Sequence, residues 1–141
     1  MKRNSLSGSK DNFRALHKYD ILYERLCRLL EEERLYLRPQ LKVEDIARAA
    51  ASNRTYISAA LRSKSVTLPE LVNSYRARYA LDIIIRSDCR DLPVEELAEL
   101  SGFNSARTMN RYIKKSAGVS AGALRYRLYG PGRKVPKVQP L

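Results

Sequence analysis

The chain has 141 residues and a formal charge of +12, from 27 Lys or Arg against 15 Asp or Glu. This length suits one domain with a real core, not a two-layer enzyme with a separate cofactor lobe, and 44% hydrophobic residues set it apart from a disordered chain. The most apolar run, "ALDIIIRSD", is far too short to span a bilayer; with no signal-peptide pattern at its start, a soluble, cytoplasmic protein is expected.

In chain order, residues 1–12, "MKRNSLSGSKDN", are polar and Ser-rich and predict a flexible leader. From Phe13 the pattern is helical: Leu22, Leu26, Leu29 and Leu30 recur at helical spacing, and Pro39 marks the end of that element. "VEDIARAA" predicts a short helix, "ASN" a turn and "RTYISAALRSK" a second helix. "TLPELVNSYRARYALDIIIRSD" predicts a long helix, with Thr67 and Glu70 as a capping box and Pro69 in the first turn, where its missing N–H costs nothing. "LPVEELAELSG" and "SARTMNRYIKKSAG" predict another short helix and another second helix, the latter ended by Gly118. Residues 129–141 contain the basic, Pro- and Gly-broken "GPGRKVPKVQPL" and predict a disordered tail. No segment shows the period-two alternation of a strand, so the fold class is all-α.

The organising feature is a repeat. "VEDIARAAASNRTYISAAL" and "VEELAELSGFNSARTMNRYI" share a layout of short helix, tight turn and second helix, with Ala47 and Ala98 in equivalent places 51 residues apart. A small residue suits the crossing of two close helices. The turn favours Gly, supplied by Gly102 in the second copy and replaced by Ala51 in the first. Met109 lies seven past Gly102 while Ile57 lies six past Ala51, so the second turn is one residue longer. Asn53 and Ser105 (or Asn104) are suitable N-caps. The expected architecture is two helix-turn-helix subdomains, about 22–66 and 91–128, joined by a connector helix over 67–88 within an ordered region of 13–128. From Pro69 to Ser87 the connector is roughly 28 Å long at 1.5 Å per residue. Successive major grooves on one DNA face lie about 34 Å apart, so this length is of the right order to hold two readers one turn apart.

Charge points the same way. The 42 residues after Glu99 hold nine Lys or Arg and no Asp or Glu, which concentrates positive potential at one end, as a phosphate-binding surface needs. Cys27 and Cys89 lie far apart, there is no CxxC, and His17 is the one histidine, so neither a zinc site nor a disulfide framework is indicated. No catalytic residues, metal or cofactor are expected.

On "LVNSYRARYALDIIIRSD", "VEELAELSGFNSARTMNRYIKKSAGVS" and "NRTYIS", the chain resembles the DNA-binding domain of the arabinose-regulator (AraC/XylS-type) family of bacterial transcription factors, over about Leu22 to Tyr126. The resemblance implies a seven-helix, two-lobed, largely monomeric reader that inserts one helix per lobe into the major groove of an asymmetric site of about two turns. The expected partner is double-stranded DNA, with RNA polymerase beyond it, in the cytoplasm at the nucleoid. Near "GVSAGALRYR" the family usually has a Pro followed by an aromatic before the Arg, where this chain has Ala121 and Leu124 before Arg125. About 40 residues precede the first motif, which suggests either a stand-alone reader or a piece of a larger sensor regulator.

Positions matching the family's base contacts are Ala106, Arg107, Thr108, Asn110 and Arg111 in the second motif and Arg54, Thr55, Ser58 and Ala59 in the first, while Met109, Tyr112 and Ile113 have core spacing. Arg suits guanine because its fork donates to O6 and N7 together, and Asn pairs both ways with adenine. Phosphate contacts are expected from Ser105, Lys114 and Lys115, and from Asn53, Arg54, Arg62 and Lys64; Tyr56 is either core or phosphate-bound. The second lobe, armed with long donors, is expected to supply more of the hydrogen-bond readout. Arg76 and Arg78 on the connector, with Asn73 one turn earlier, are expected as salt-bridge partners of nearby acids, with direct phosphate contact as the alternative. The competing reading is a helical interaction module whose Tyr-rich first helix, "HKYDILYERLCRLLEEERLYL", is a docking surface.

Overall fold

The computed structural model describes the backbone of residues 2–87 and 89–131, with side chains from Lys18 onward. The protein is all-helical: the described residues form seven α-helices and one 3-10 turn and no strands. In order they are α1 (Lys2–Glu33), the 3-10 turn Leu35–Leu37, α2 (Val43–Ala49), α3 (Arg54–Ser63), α4 (Leu68–Arg86), α5 (Val94–Leu100), α6 (Ala106–Ala117) and α7 (Ala121–Tyr129).

Two elements differ from the sequence expectation. α1 starts at Lys2 rather than Phe13, so backbone assigned to a leader is helical. No proline precedes Pro39, and the lone Gly8 costs only about 1 kcal/mol, which a long helix carries. The same helix stops at Glu33, six residues before Pro39, where Arg34 takes a positive φ of 50° and turns the chain. Of the expected tail, all but residues 129–131 lies outside the described residues, and Tyr129 closes α7.

The chain divides into two compact units, one of the chain up to Leu35 with Leu41–Val72, the other of Tyr36–Gln40 with the chain from Asn73 onward. In the first unit α3 packs against α1 and α2. Leu26 and Leu30 of α1, Ile46 of α2 and Ile57 and Ala60 of α3 are almost wholly buried. Burying each Leu or Ile side chain contributes roughly 1.5–3 kcal/mol to the unit's stability. Asn53 caps α3, its Oδ1 accepting the Tyr56 N–H at 3.0 Å, and Thr67 Oγ1 accepts the Glu70 N–H at 3.2 Å at the start of α4.

The second unit is built on Ala77, Ala80 and Ile84 of α4, Leu97 and Ala98 of α5, Met109, Tyr112 and Ile113 of α6, and Ala121 of α7. Small residues at 77, 80, 98 and 121 let these helices approach closely. Among the described residues Arg76 has no acid partner. It is buried, 6% exposed, and its guanidinium donates from Nε to the Tyr36 carbonyl at 2.6 Å, from Nη2 to the Arg38 carbonyl at 2.5 Å and from Nη1 to Asn73 Oδ1 at 3.0 Å. The expected salt bridge is thus replaced by backbone carbonyls left over where the 3-10 turn ends. Burial pulls the Arg76 guanidinium below its ordinary pKa. Arg78 lies over the Tyr75 ring, 5.2 Å from its centroid.

α7 is clasped to the same unit. Arg125 donates to the carbonyls of Cys89 (2.8 Å) and Leu92, and the Tyr129 hydroxyl donates to the Ile84 carbonyl at 2.5 Å. No helix among the described residues is long and apolar enough to cross a membrane.

Candidate nucleic-acid interface

The two helix pairs α2–α3 and α5–α6 close their first helices with the same hydrogen bonds. Ser52 N–H donates to the Ala47 carbonyl and Phe103 N–H to the Ala98 carbonyl, both at 2.9 Å, while Ala51 N–H reaches Arg48 at 3.2 Å and Gly102 N–H reaches Glu99 at 3.0 Å. This is the paired-bond helix end in which one residue must adopt a left-handed conformation. That residue is Ala51 (φ 51°) in one copy and Gly102 (φ 84°) in the other. The next helix begins at Arg54, three past Ala51, and at Ala106, four past Gly102, so the second turn is one residue longer.

On α6, Ser105 is the N-cap: its hydroxyl accepts the Thr108 N–H at 3.2 Å and donates to Thr108 Oγ1 at 3.1 Å. Met109, Tyr112 and Ile113 face inward. Arg107, Thr108, Asn110, Arg111 and Lys114 line a concavity of about 490 Å³ on the outer face. Arg107, Arg111 and Lys114 are exposed, and with no acid among the described residues of its lining the concavity suits an anion.

The other residues expected on this helix are placed differently. Ala106 is half-buried and packs against the core. Lys115 lies with its ammonium 5.0 Å from the Tyr112 ring centroid, and Arg111 shares that ring at 5.2 Å. Asn110 Oδ1 accepts the Ala121 N–H at 3.0 Å, which ties α6 to the start of α7. Two-way pairing with adenine uses that same oxygen, which keeps a second lone pair; the bond to Ala121 adds a positioning role that the place of Asn110 in the sequence did not signal.

On α3 the expected readers are more dispersed. Arg54, Ser58 and Arg62 lie along one stripe and border a hollow of about 530 Å³, floored by Val43, Leu61, Val66 and Leu68. Thr55 is exposed and Ala59 half-buried, neither in that lining. Arg54 pairs loosely with Glu44 at 3.5 Å, and both side chains are largely exposed, so the pair contributes at most about 1 kcal/mol. Lys64 is engaged by Asp20 at 2.7 Å. Tyr56 is 40% exposed and sits on the opposite flank, beneath Lys18 Nζ of α1, 4.3 Å from the ring centroid. Neither Lys18 nor Arg25 was legible as a site residue; their seven-residue spacing puts both on one helix stripe, which is the signal that was present.

Among the described residues no group of three His, Cys, Asp or Glu is placed to hold a metal ion. Cys27 and Cys89 are free thiols. Comparison with protein-family models, with curated proteins and with solved structures finds no match to this chain.

Proposed function

We propose that this chain is a sequence-specific double-stranded-DNA-binding transcription regulator of the arabinose-regulator type, built as two helix-turn-helix lobes, α2–α3 and α5–α6, with α4 as the connector. α6 is its main reading helix and α3 its second. Arg107 and Arg111 donate to base edges, with guanine as the preferred partner of each. Lys114 and Arg62 neutralise backbone phosphates, and Thr55 and Ser58 make shorter-range contacts from α3.

One observation carries the reading. The outer face of α6 gathers Arg107, Arg111 and Lys114 around a concavity with no acid among its described lining residues, on the second helix of a pair whose helix closure repeats bond for bond 51 residues away. A general basic surface explains the charge but not the repeat, and a helical scaffold explains the repeat but not the charge.

The test is selection of binding sites from a random duplex pool, followed by affinity measurements across salt. The expected result is an asymmetric consensus, since α3 and α6 carry different side chains. With six or more phosphate contacts, affinity should fall about a thousandfold or more between 50 and 200 mM salt. An unenriched pool and a flat salt response would overturn the proposal. A perfectly palindromic consensus would instead assign one lobe per half-site in a dimer.

A further inference from the structure

α3 carries positive charge on both of its flanks, and one of the two sources is not on α3. On the flank of Arg54 and Arg62 the cations belong to the helix itself. On the flank of Tyr56 they come from α1: Lys18 and Arg25, together with Ser52 and Tyr56, line a notch of about 240 Å³ at the N-terminal end of α3. Among the described residues no acid lines this notch, and Asp20, two residues from Lys18, is turned to Lys64 at 2.7 Å. Arg25 gives one N–H to the Ala50 carbonyl at 3.3 Å, which fixes its guanidinium beside the turn and leaves its other donors available to a ligand. Lys18 Nζ is held over the Tyr56 ring, so its ammonium stands close to the rim of the same notch.

A helix lying in a major groove has one phosphate strand on either side of it. Cations on both flanks of α3 match that arrangement, whereas a single-sided patch would suit a protein carboxylate or a free anion equally well. We propose that Lys18 and Arg25 of α1, with the hydroxyls of Ser52 and Tyr56, form a binding notch for a DNA backbone phosphate on the flank of α3 opposite Arg62. The proposal rests on the DNA-reading function above and deepens it: α1 becomes part of the nucleic-acid surface, supplying affinity without sequence information.

The experiment uses the full chain, the duplex recovered from the random pool and a scrambled duplex of the same length, with affinity measured from 50 to 200 mM KCl. Lys18→Ala is the main variant because the neighbour of its ammonium is an aromatic face, with Lys18→Arg as the charge-preserving control and Arg25→Gln as the second site. Removal of one phosphate contact is expected to lower the slope of log affinity against log salt by about 0.9, so that the affinity drop over this range is about three- to fourfold smaller. Both duplexes should weaken by the same factor at low salt, and Lys18→Arg should restore the wild-type slope. Unchanged slopes in Lys18→Ala and Arg25→Gln, or a loss confined to the selected duplex, would overturn the proposal while leaving the DNA-reading function standing. A wild-type protein that binds neither duplex would overturn both. Thermal melting separates either result from unfolding: Lys18→Ala is expected to melt with the wild type, and a Lys18→Ala protein that melts early and is not restored by Lys18→Arg counts against the notch.

Discussion

The turns of α2–α3 and α5–α6 open with the same helix closure in different surroundings. Each closes with the same hydrogen bonds and each places one residue at positive φ, yet the first uses Ala51 and the second Gly102. Conformation alone does not explain the choice, because Ala51 holds a φ of 51° at a cost of about 1–2 kcal/mol. Crowding does. A Cβ on Gly102 would come within 2.5 Å of the Tyr36 carbonyl oxygen and 3.1 Å of Arg76 Nε, whereas Ala51 is exposed. The repeat therefore preserves local geometry, and the packing around each copy decides which side chains it tolerates.

Gly102→Ala tests that comparison most severely. It adds left-handed strain to a clash with backbone, and should destabilise the second unit by about 3–5 kcal/mol in chemical denaturation. A loss below about 1 kcal/mol would mean that the Tyr36–Leu37 segment gives way, and the contrast between the turns would dissolve. Next come the proposed readers: Arg107→Ala or Arg111→Ala should cost about 1–3 kcal/mol of binding to the selected duplex and relax base preference at one position. Thr55→Ala and Ser58→Ala should do less, and the reverse order would make α3 the main reader. Asn110→Ala should cost about 1 kcal/mol of stability by releasing the Ala121 N–H, with base preference unchanged; altered adenine preference would return Asn110 to the readers. The smallest effect belongs to Ala51→Gly, which trades left-handed strain for chain entropy and should stabilise the first unit by about 0.5 kcal/mol. Destabilisation would show that the Ala51 methyl packs usefully beside Tyr56.

Much of this was legible in the sequence because it is local. The leucine stripe of α1, the caps Asn53, Ser105 and Thr67, the inward triad Met109, Tyr112 and Ile113, and the extra residue in the second turn all follow from spacing within one helix or turn. What escaped depends on partners far along the chain. Arg76 reads as a salt-bridge residue until the Tyr36 carbonyl, 40 residues earlier, is known to end beside it. The bond that Asn110 accepts from Ala121 joins two helices, and the crowding of Gly102 involves a 3-10 turn more than sixty residues upstream. The polar face of α6 was visible as a face. Which side of α3 Tyr56 occupies, and hence the company of Lys18, was not.

The clasp of Arg76 on the Tyr36 and Arg38 carbonyls also has a consequence for synthesis. Tyr36–Gln40 lies in the first half of the chain but belongs to the second unit, so its carbonyls emerge 40 residues before their donor. At 5–20 residues per second a ribosome takes about 2–8 s to supply it. During that interval the nascent first unit can assemble α1, α2 and α3, while the segment between α1 and α2 keeps its carbonyls bound to water. The order of translation thus builds the α3 side first and locks the interrupting segment only when α4 arrives.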